Sequence, residues 1–427
     1  MFGLAWSCIV WETMVRVGLV RSATNCLLAA LMRVLWTGFC LSTAANTTAL
    51  AQQGGALTPG EVPPQVRAQG EASPPTVVLH PAKTAVVRLT VLLPLQSDSL
   101  GRAAAAVRAG ILAAHEAERS EVAVTIIETG DTPEEVLAVY TKALATTDIM
   151  LGPLSRSVVA ALAQSDAVHV PTIALAQPEF GQTLARSPLL LTMGLAVEEE
   201  ARQAADWMAA DKTGGKLLAV ATSIHWQRRA AQAFSAEAQR LGRDTEVIEL
   251  GSAGGYLEAA ALMQFRKQLQ EMKPAALFVS LDAVQTRQLR AVIGEDLPIY
   301  GTSQLNPQAL AEHNNARAEA MPELNGVRLL DLPWQLSPDH PAVMAYPQMA
   351  AAAKQTRNAD LERLYALGID AFRVARLVAA QRKQFELDGV TGKLVIGFNP
   401  AGTHFERMET RAIYRDGKAV PLDASGK

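Results

Sequence analysis

From Val86 onward, short apolar runs alternate with amphipathic stretches of helical length, and few folds accommodate that rhythm. Val86-Val87-Arg88-Leu89-Thr90-Val91-Leu92-Leu93 is β-branched, apolar and ended by Pro94, the pattern of a strand buried on both faces. Residues 100–118 then place Ala103, Val107, Gly110, Ile111 and Ala114 at helical spacing. The alternation repeats, with strands expected at 123–128, 148–151, 170–174, 189–193, 216–221, 246–250, 275–280 and 297–300. Helices are expected at 132–145, 155–165, 197–210, 227–241, 256–271 and 283–292, and a long one at 361–380. The tail, 393–398 and 411–414 with the turn Arg415-Asp416-Gly417-Lys418, reads as closing strands and a hairpin. Such alternation predicts βαβ units and parallel sheets covered by helices on both faces.

These strands are too many for one open sheet of ordinary width, so the predicted fold is α/β with two doubly wound, Rossmann-like lobes and a ligand-type cleft between them. The expected division gives residues 86–193 with 302–388 to the first lobe, and 194–301 with 389–427 to the second. Alanine supplies much of the 49% apolar content while aromatics are 5%, so the helices should pack closely.

The N-terminus carries a different signal. Arg16, Arg21 and Arg33 accompany an apolar stretch from Leu27 to Leu41, followed by a small and polar tail ending in Ala49-Leu50-Ala51. Basic, apolar, then a small-residue cleavage site is the order of a secretory signal, so residues 1–51 are expected to be removed and the protein exported to the periplasm. Cys8, Cys26 and Cys40 all fall inside this segment, which leaves a mature chain free of thiols and suited to an oxidising compartment. Cys40 is the one position for a lipid anchor, but Phe39 before it is bulky where the processing peptidase needs a small side chain, so release is the expectation. Residues 52–84, rich in proline from Pro59 to Pro81, read as a flexible linker.

The chemistry that the chain lacks narrows its function. Without residues 1–51 there remain 36 basic and 41 acidic residues, a net charge of −5 that gives no footprint for nucleic acid. The seven histidines are scattered and no H-E-x-x-H occurs, so zinc is unsupported. No G-x-S-x-G, G-x-x-x-x-G-K-[ST] or strand-linked G-x-G-x-x-G is present, so hydrolase, nucleotide and dinucleotide chemistry lose their usual anchors. No catalytic residue, metal or cofactor is expected. Glu198-Glu199-Glu200 opens a helix, where carboxylates complement the dipole, and reads as a solvated first turn.

What remains are the loops at the carboxyl ends of the strands, where ligands of open α/β sheets bind. In the first lobe they offer Ser97, Asp98, Ser155 and Gln177; in the second, His225, Trp226, Asp282 and Ser303. Ser155 and Asp282 are also good helix N-caps without any ligand. Trp226 is as compatible with packing as with facing the cleft.

The succession Val91-Leu92-Leu93-Pro94-Leu95, Glu128-Thr129-Gly130, Leu151-Gly152-Pro153-Leu154 and Val170-Pro171-Thr172-Ile173-Ala174-Leu175 resembles the LppC/LpoA family of penicillin-binding-protein activators, within the leucine-binding-protein-like group. Leu367-Gly368-Ile369-Asp370-Ala371-Phe372 and Val390-Thr391-Gly392-Lys393-Leu394 extend the resemblance over about 86–420. It implies the type I periplasmic binding protein fold, used as a non-catalytic module that stimulates a peptidoglycan synthase or another envelope protein by contact. The same fold also serves solute receptors of uptake systems, which close on an amino acid or other small polar solute. Such receptors hold the ligand carboxylate in the loops after the third and fourth strands. Here the first of these loops keeps Ser155, while the second reads Ala176-Gln177-Pro178, with Pro178 removing one donor.

Overall fold

The computed structural model describes residues 86–119, 121–178, 187–211, 214–307, 320–349 and 358–422. The expected signal segment and linker, 1–51 and 52–84, lie outside the described residues.

The first sheet is all parallel, in the order β2-β1-β3-β4-β5, and joins Arg88–Leu93 (β1), Ala123–Glu128 (β2), Ile149–Leu151 (β3), Thr172–Ala174 (β4) and Leu190–Thr192 (β5). Helices Gly101–Ala117 (α1), Pro133–Ala143 (α2) and Arg156–Gln164 (α3) make the crossovers. Successive side chains of a strand point to opposite faces, and both faces here are apolar. Leu89, Val91 and Leu93 enter a core with Val107 and Ile111 of α1, while Leu92 joins Tyr140, Val159 and Leu162 of α2 and α3.

The chain then crosses into a second lobe through Val197–Ala210 (α4), Leu217–Ala221 (β6), His225–Arg240 (α5), Thr245–Glu249 (β7), the small hairpin Ser252–Ala253 (β8) and Tyr256–Leu257 (β9), and Ala259–Met272 (α6). Ala276–Val279 (β10), Ala283–Ile293 (α7), Ile299–Gly301 (β11) and Arg328–Asp331 (β12) follow. The expected helix at 256–271 begins three residues late, because Tyr256 and Leu257 pair back onto Ser252 and Ala253. The small-residue content works as expected: Ala201, Ala204 and Ala205 of α4 and Ala230, Ala231, Ala233 and Ala238 of α5 are all buried in one core.

Helical turns Pro333–Leu336 and Pro341–Met344 lead back to the first lobe and to Ala359–Ala379 (α8). Antiparallel strands Gln384–Gly389 (β13), Gly392–Asn399 (β14) and Gly402–Met408 (β15) form a separate sheet. Its Leu394 and Ile396 enter the same core as Val91 and Phe372, so it belongs to the first lobe. Thr410–Arg415 (β16) and Lys418–Pro421 (β17) then close the second sheet, in the order β17-β16-β12-β11-β10-β6-β7.

Two crossings therefore fall later than the sequence reading placed them. The described residues 302–307 and 320–331 stay with the second lobe because β12 pairs in parallel with β11, so the return to the first lobe begins after Asp331 and not at 302. Residues 389–408 stay with the first lobe because β14 pairs with β13 and β15, so the final crossing falls at 408–410 and not at 389.

Helices α1 and α8 cross at glycines. A Cβ on Gly110 would overlap the Tyr365 carbonyl oxygen, and one on Gly368 would overlap that of Val107. The two backbones are in contact, which holds α8 against the first sheet. No helix among the described residues is long and apolar enough to cross a membrane.

Candidate functional site

In the first lobe, the loop hydroxyls are used locally. Ser97 donates to the Asp131 carboxylate at 2.6 Å and accepts the Leu100 amide at 3.0 Å, so it organises the entrance to α1. The hydroxyls of Ser97 and, secondarily, Ser99 hold the Asp131 carboxyl below its ordinary range. Asp98 is exposed. Ser155 sits at the N-cap of α3, yet its hydroxyl bonds that of Ser157 at 2.9 Å and no helix amide. Gln177 is turned back onto β5: it accepts from the Thr192 hydroxyl at 2.9 Å and donates to the Thr192 carbonyl at 3.2 Å.

The second lobe repeats the pattern. Asp282 accepts the Gln285 amide at 2.8 Å in a capping box. The Gln285 side chain accepts from Gln227, and Gln227 accepts from both the amide and hydroxyl of Thr222. One hydrogen-bonded chain thus fastens the starts of α5 and α7 to each other, as buried polar groups require. His225 is exposed and Trp226 half-buried at the start of α5. Ser303 is 2% exposed and follows β11 within the second lobe, with both its amide (2.6 Å) and hydroxyl (3.0 Å) donating to Glu200.

The acidic run at 198–200 is not a solvated turn. Only Glu199 is exposed; Glu198 and Glu200 are buried, 4% and 5% exposed. Glu198 accepts from Arg156 of the first lobe at 3.2 Å and from Arg229 of the second at 2.6 Å, an ionic bridge between lobes. Burial pushes the Glu198 carboxyl up, but Arg156 and Arg229 outweigh it and hold it low and charged. Glu200 goes the other way. Burial raises its pKa to about 7, with Asp331 adding repulsion, against the Ser303 bonds and Arg363, which lower it.

Around Glu200 the crossings are strapped by buried arginines. Arg363 of α8 bonds the Asp331 carboxylate at 3.0 and 2.8 Å and the carbonyls of Ser303 and Asn306 at 2.9 and 2.7 Å. Arg407 of β15 donates to the carbonyls of Met193 and Gly194 at 2.9 and 3.0 Å, across the first crossing. Asp370 accepts from the amides of Val390 and Thr391 and from the Thr391 hydroxyl. Sequence reasoning passed over these residues, although a signal was there. Glu362, Arg363 and Asp370 stand on the same helical stripe as Ala359, Ala366 and Leu367, where charge is costly unless paired.

The Glu200 environment carries a pH dependence with a definite sign. Between its ordinary value of 4.5 and about 7, the folded chain holds a proton that the unfolded chain releases. Stability from this group is therefore full below that window and is lost as pH rises through it. Glu200→Gln keeps an acceptor for the Ser303 amide and a donor for its hydroxyl. The variant should gain on the order of 2–3 kcal/mol relative to the wild type between pH 5 and pH 8. Urea unfolding at both pH values measures the difference, and parallel pH dependences would rule the mechanism out.

Among the described residues, no cluster of three or more His, Cys, Asp or Glu is arranged to hold a metal. What the arrangement supports chemically is the holding of two lobes in a fixed relation.

The family model described as "LppC putative lipoprotein" matches residues 76–417. Curated relatives include the penicillin-binding protein activator LpoA of Haemophilus influenzae, 27% identical over 242 residues, covering 55% of this chain and 38% of that protein. That of Serratia proteamaculans is 27% identical over 308 residues, covering 64% and 44%. The chain thus spans less than half the length of these two relatives. Among solved structures, one described as "a putative branched-chain amino acid ABC transporter" from Chromobacterium violaceum is 35% identical, covers 77% of this chain and all of that one, and superposes with a TM-score of 0.61. Full-length LpoA from Haemophilus influenzae superposes with a TM-score of 0.63 at 24% identity, over 80% of this chain and 60% of that one, a likeness of fold. The likeness to these chains is that of the type I periplasmic binding protein architecture expected from the sequence. With the family pattern running through β1 to β16 and all three lobe crossings, the chain belongs to the LppC family.

Proposed function

We propose that this chain is an exported, non-catalytic accessory protein of the cell envelope that stimulates a peptidoglycan synthase by direct contact. The observation that carries the proposal is the internal use of most of the cleft's hydroxyl, amide and capping groups, Asp98 and His225 being exposed. Ser97, Ser155, Gln177 and Asp282 are bonded within their own lobes, and Arg156, Glu198 and Arg229 already bridge the lobes. A receptor must desolvate a solute between its lobes and change their closure, so it needs free polar groups there; a module working by its outer surface does not. The names of the curated relatives support the same reading, and the order of residues 1–51 supports export.

A second reading, a solute receptor of an uptake system, is favoured by the 35% likeness to a chain described as part of an amino-acid transporter. Binding separates the two. On the accessory-protein reading, the purified protein saturates a peptidoglycan synthase from the same cell, and no amino acid, peptide or peptidoglycan fragment raises its melting temperature. A solute bound at a thousandfold excess over Kd would stabilise the fold by about 4 kcal/mol. That result, with no synthase binding, would replace this reading by the receptor.

A further inference from the structure

A groove of about 1270 Å3 runs beside α4, on the side of the second sheet away from α6 and α7. Its floor is the face carrying Tyr300, Arg328, Leu330 and Arg411, which stand opposite one another in register on β11, β12 and β16. Asp206 and Trp207 of α4 form one wall; Phe405, Glu406 and Met408 of β15 form another. The volume exceeds the roughly 300–1,000 Å3 of small-molecule pockets and suits a polypeptide segment better than a solute.

Six carboxylates and four arginines line this groove. The arginines have partners. Arg202 pairs with Glu199 at 2.8 Å, and Arg407 holds the crossing carbonyls. Arg328 lies over the Tyr300 ring and donates to its hydroxyl at 3.2 Å, while Arg411 lies 5.1 Å from the Trp207 ring centre. Of the carboxylates, Glu199, Glu237 and Asp211 are engaged by Arg202, Arg240 and the Tyr300 hydroxyl, while Asp206 and Glu406 retain unused acceptors. Asp206 is exposed and makes no hydrogen bond or ion pair among the described residues. Glu406 is exposed and has only His404 as an ion-pair partner among the described residues, at 3.9 Å, whereas burial pushes the Glu409 carboxyl up, towards its neutral form. Burial and then repulsion from Glu237 raise the Asp206 carboxyl above its ordinary value, as expected where negative charge is under-compensated.

We propose that this groove docks a lysine- or arginine-bearing segment of the partner protein, with the exposed carboxylates of Asp206 and Glu406 receiving its cations. The proposal rests on the accessory-protein reading for who the partner is, and on charge complementarity for what enters the groove.

The test uses the purified full chain and two fluorescein-labelled octapeptides, one of alternating Lys and Ala, the other of alternating Glu and Ala. The basic peptide should bind and the acidic one should not. The variant Asp206→Lys/Glu406→Lys, both at exposed side chains, should bind the basic peptide at least about tenfold more weakly, with an unchanged melting temperature. Glu271→Lys, exposed on α6 of the opposite face, should bind like the wild type. No binding of the basic peptide, or equal weakening by Glu271→Lys, overturns the groove. The same proteins are then titrated against the synthase. If wild type and double variant bind it equally, the groove is wrong while the accessory reading stands. If neither binds it but the peptide discriminates, the accessory reading is wrong and the groove remains a site for a basic segment.

Discussion

Replacing Arg363 by Met should cost about 3–5 kcal/mol of stability, among the largest losses available to a single substitution in this chain. The guanidinium is 5% exposed and makes its bonds to Asp331, itself 0% exposed, and to the carbonyls of Ser303 and Asn306. Burial works against its charge, but the Asp331 carboxylate reverses that and fixes the arginine in its ionised form. Met keeps the length of the side chain and removes every donor. Asp331 then retains Asn306 and the Leu332 amide but loses its counter-ion, and two carbonyls lose a partner. If the uncompensated carboxylate is the main penalty, Arg363→Met/Asp331→Leu should recover at least about 2 kcal/mol relative to Arg363→Met. Urea unfolding of both variants decides this, and an undiminished loss in the double variant would place the effect in packing instead.

The second large effect is expected at the crossing of α1 and α8. An isolated Gly→Ala change inside a helix gains about 1 kcal/mol from propensity. Gly368→Ala should reverse that sign, because the new methyl meets the Val107 carbonyl oxygen, a backbone atom with no room to withdraw. Parting two packed helices to admit a methyl costs about 3 kcal/mol, which outweighs the propensity. The loss should appear in thermal and urea unfolding alike, and Gly110→Ala should behave the same way through the Tyr365 carbonyl. A stabilised variant would mean that the helices are not in backbone contact.

The strand–helix alternation made most of the fold legible. Runs such as Leu217–Ala221 and Ala276–Val279, apolar on both faces, belong only in a covered parallel sheet. What escaped was β12, four residues that show neither period clearly, and with it the true position of the return crossing. Of the small sheet the sequence reading named only 393–398; the alternation of Gln384-Phe385-Glu386-Leu387-Asp388 was passed over, and which lobe the sheet joins depends on Leu394 and Ile396 meeting a distant core. The hinge was hardest to read. Glu198 and Glu200 look like dipole-complementing surface acids, and only the approach of Arg156, Arg229 and Ser303 from elsewhere in the chain makes them structural. The cleft residues were identifiable by position at the strand ends, whereas their hydrogen-bond partners are set by loop geometry that no local pattern encodes.

The central claim is tested most directly by the rate at which a purified peptidoglycan synthase from the same cell polymerises and cross-links lipid-linked precursor, with and without this protein. The expected result is a saturable rise in rate at stoichiometric concentration, unchanged by added amino acids and absent when the protein is unfolded beforehand. An unchanged rate, despite a folded protein and an active synthase, would contradict it.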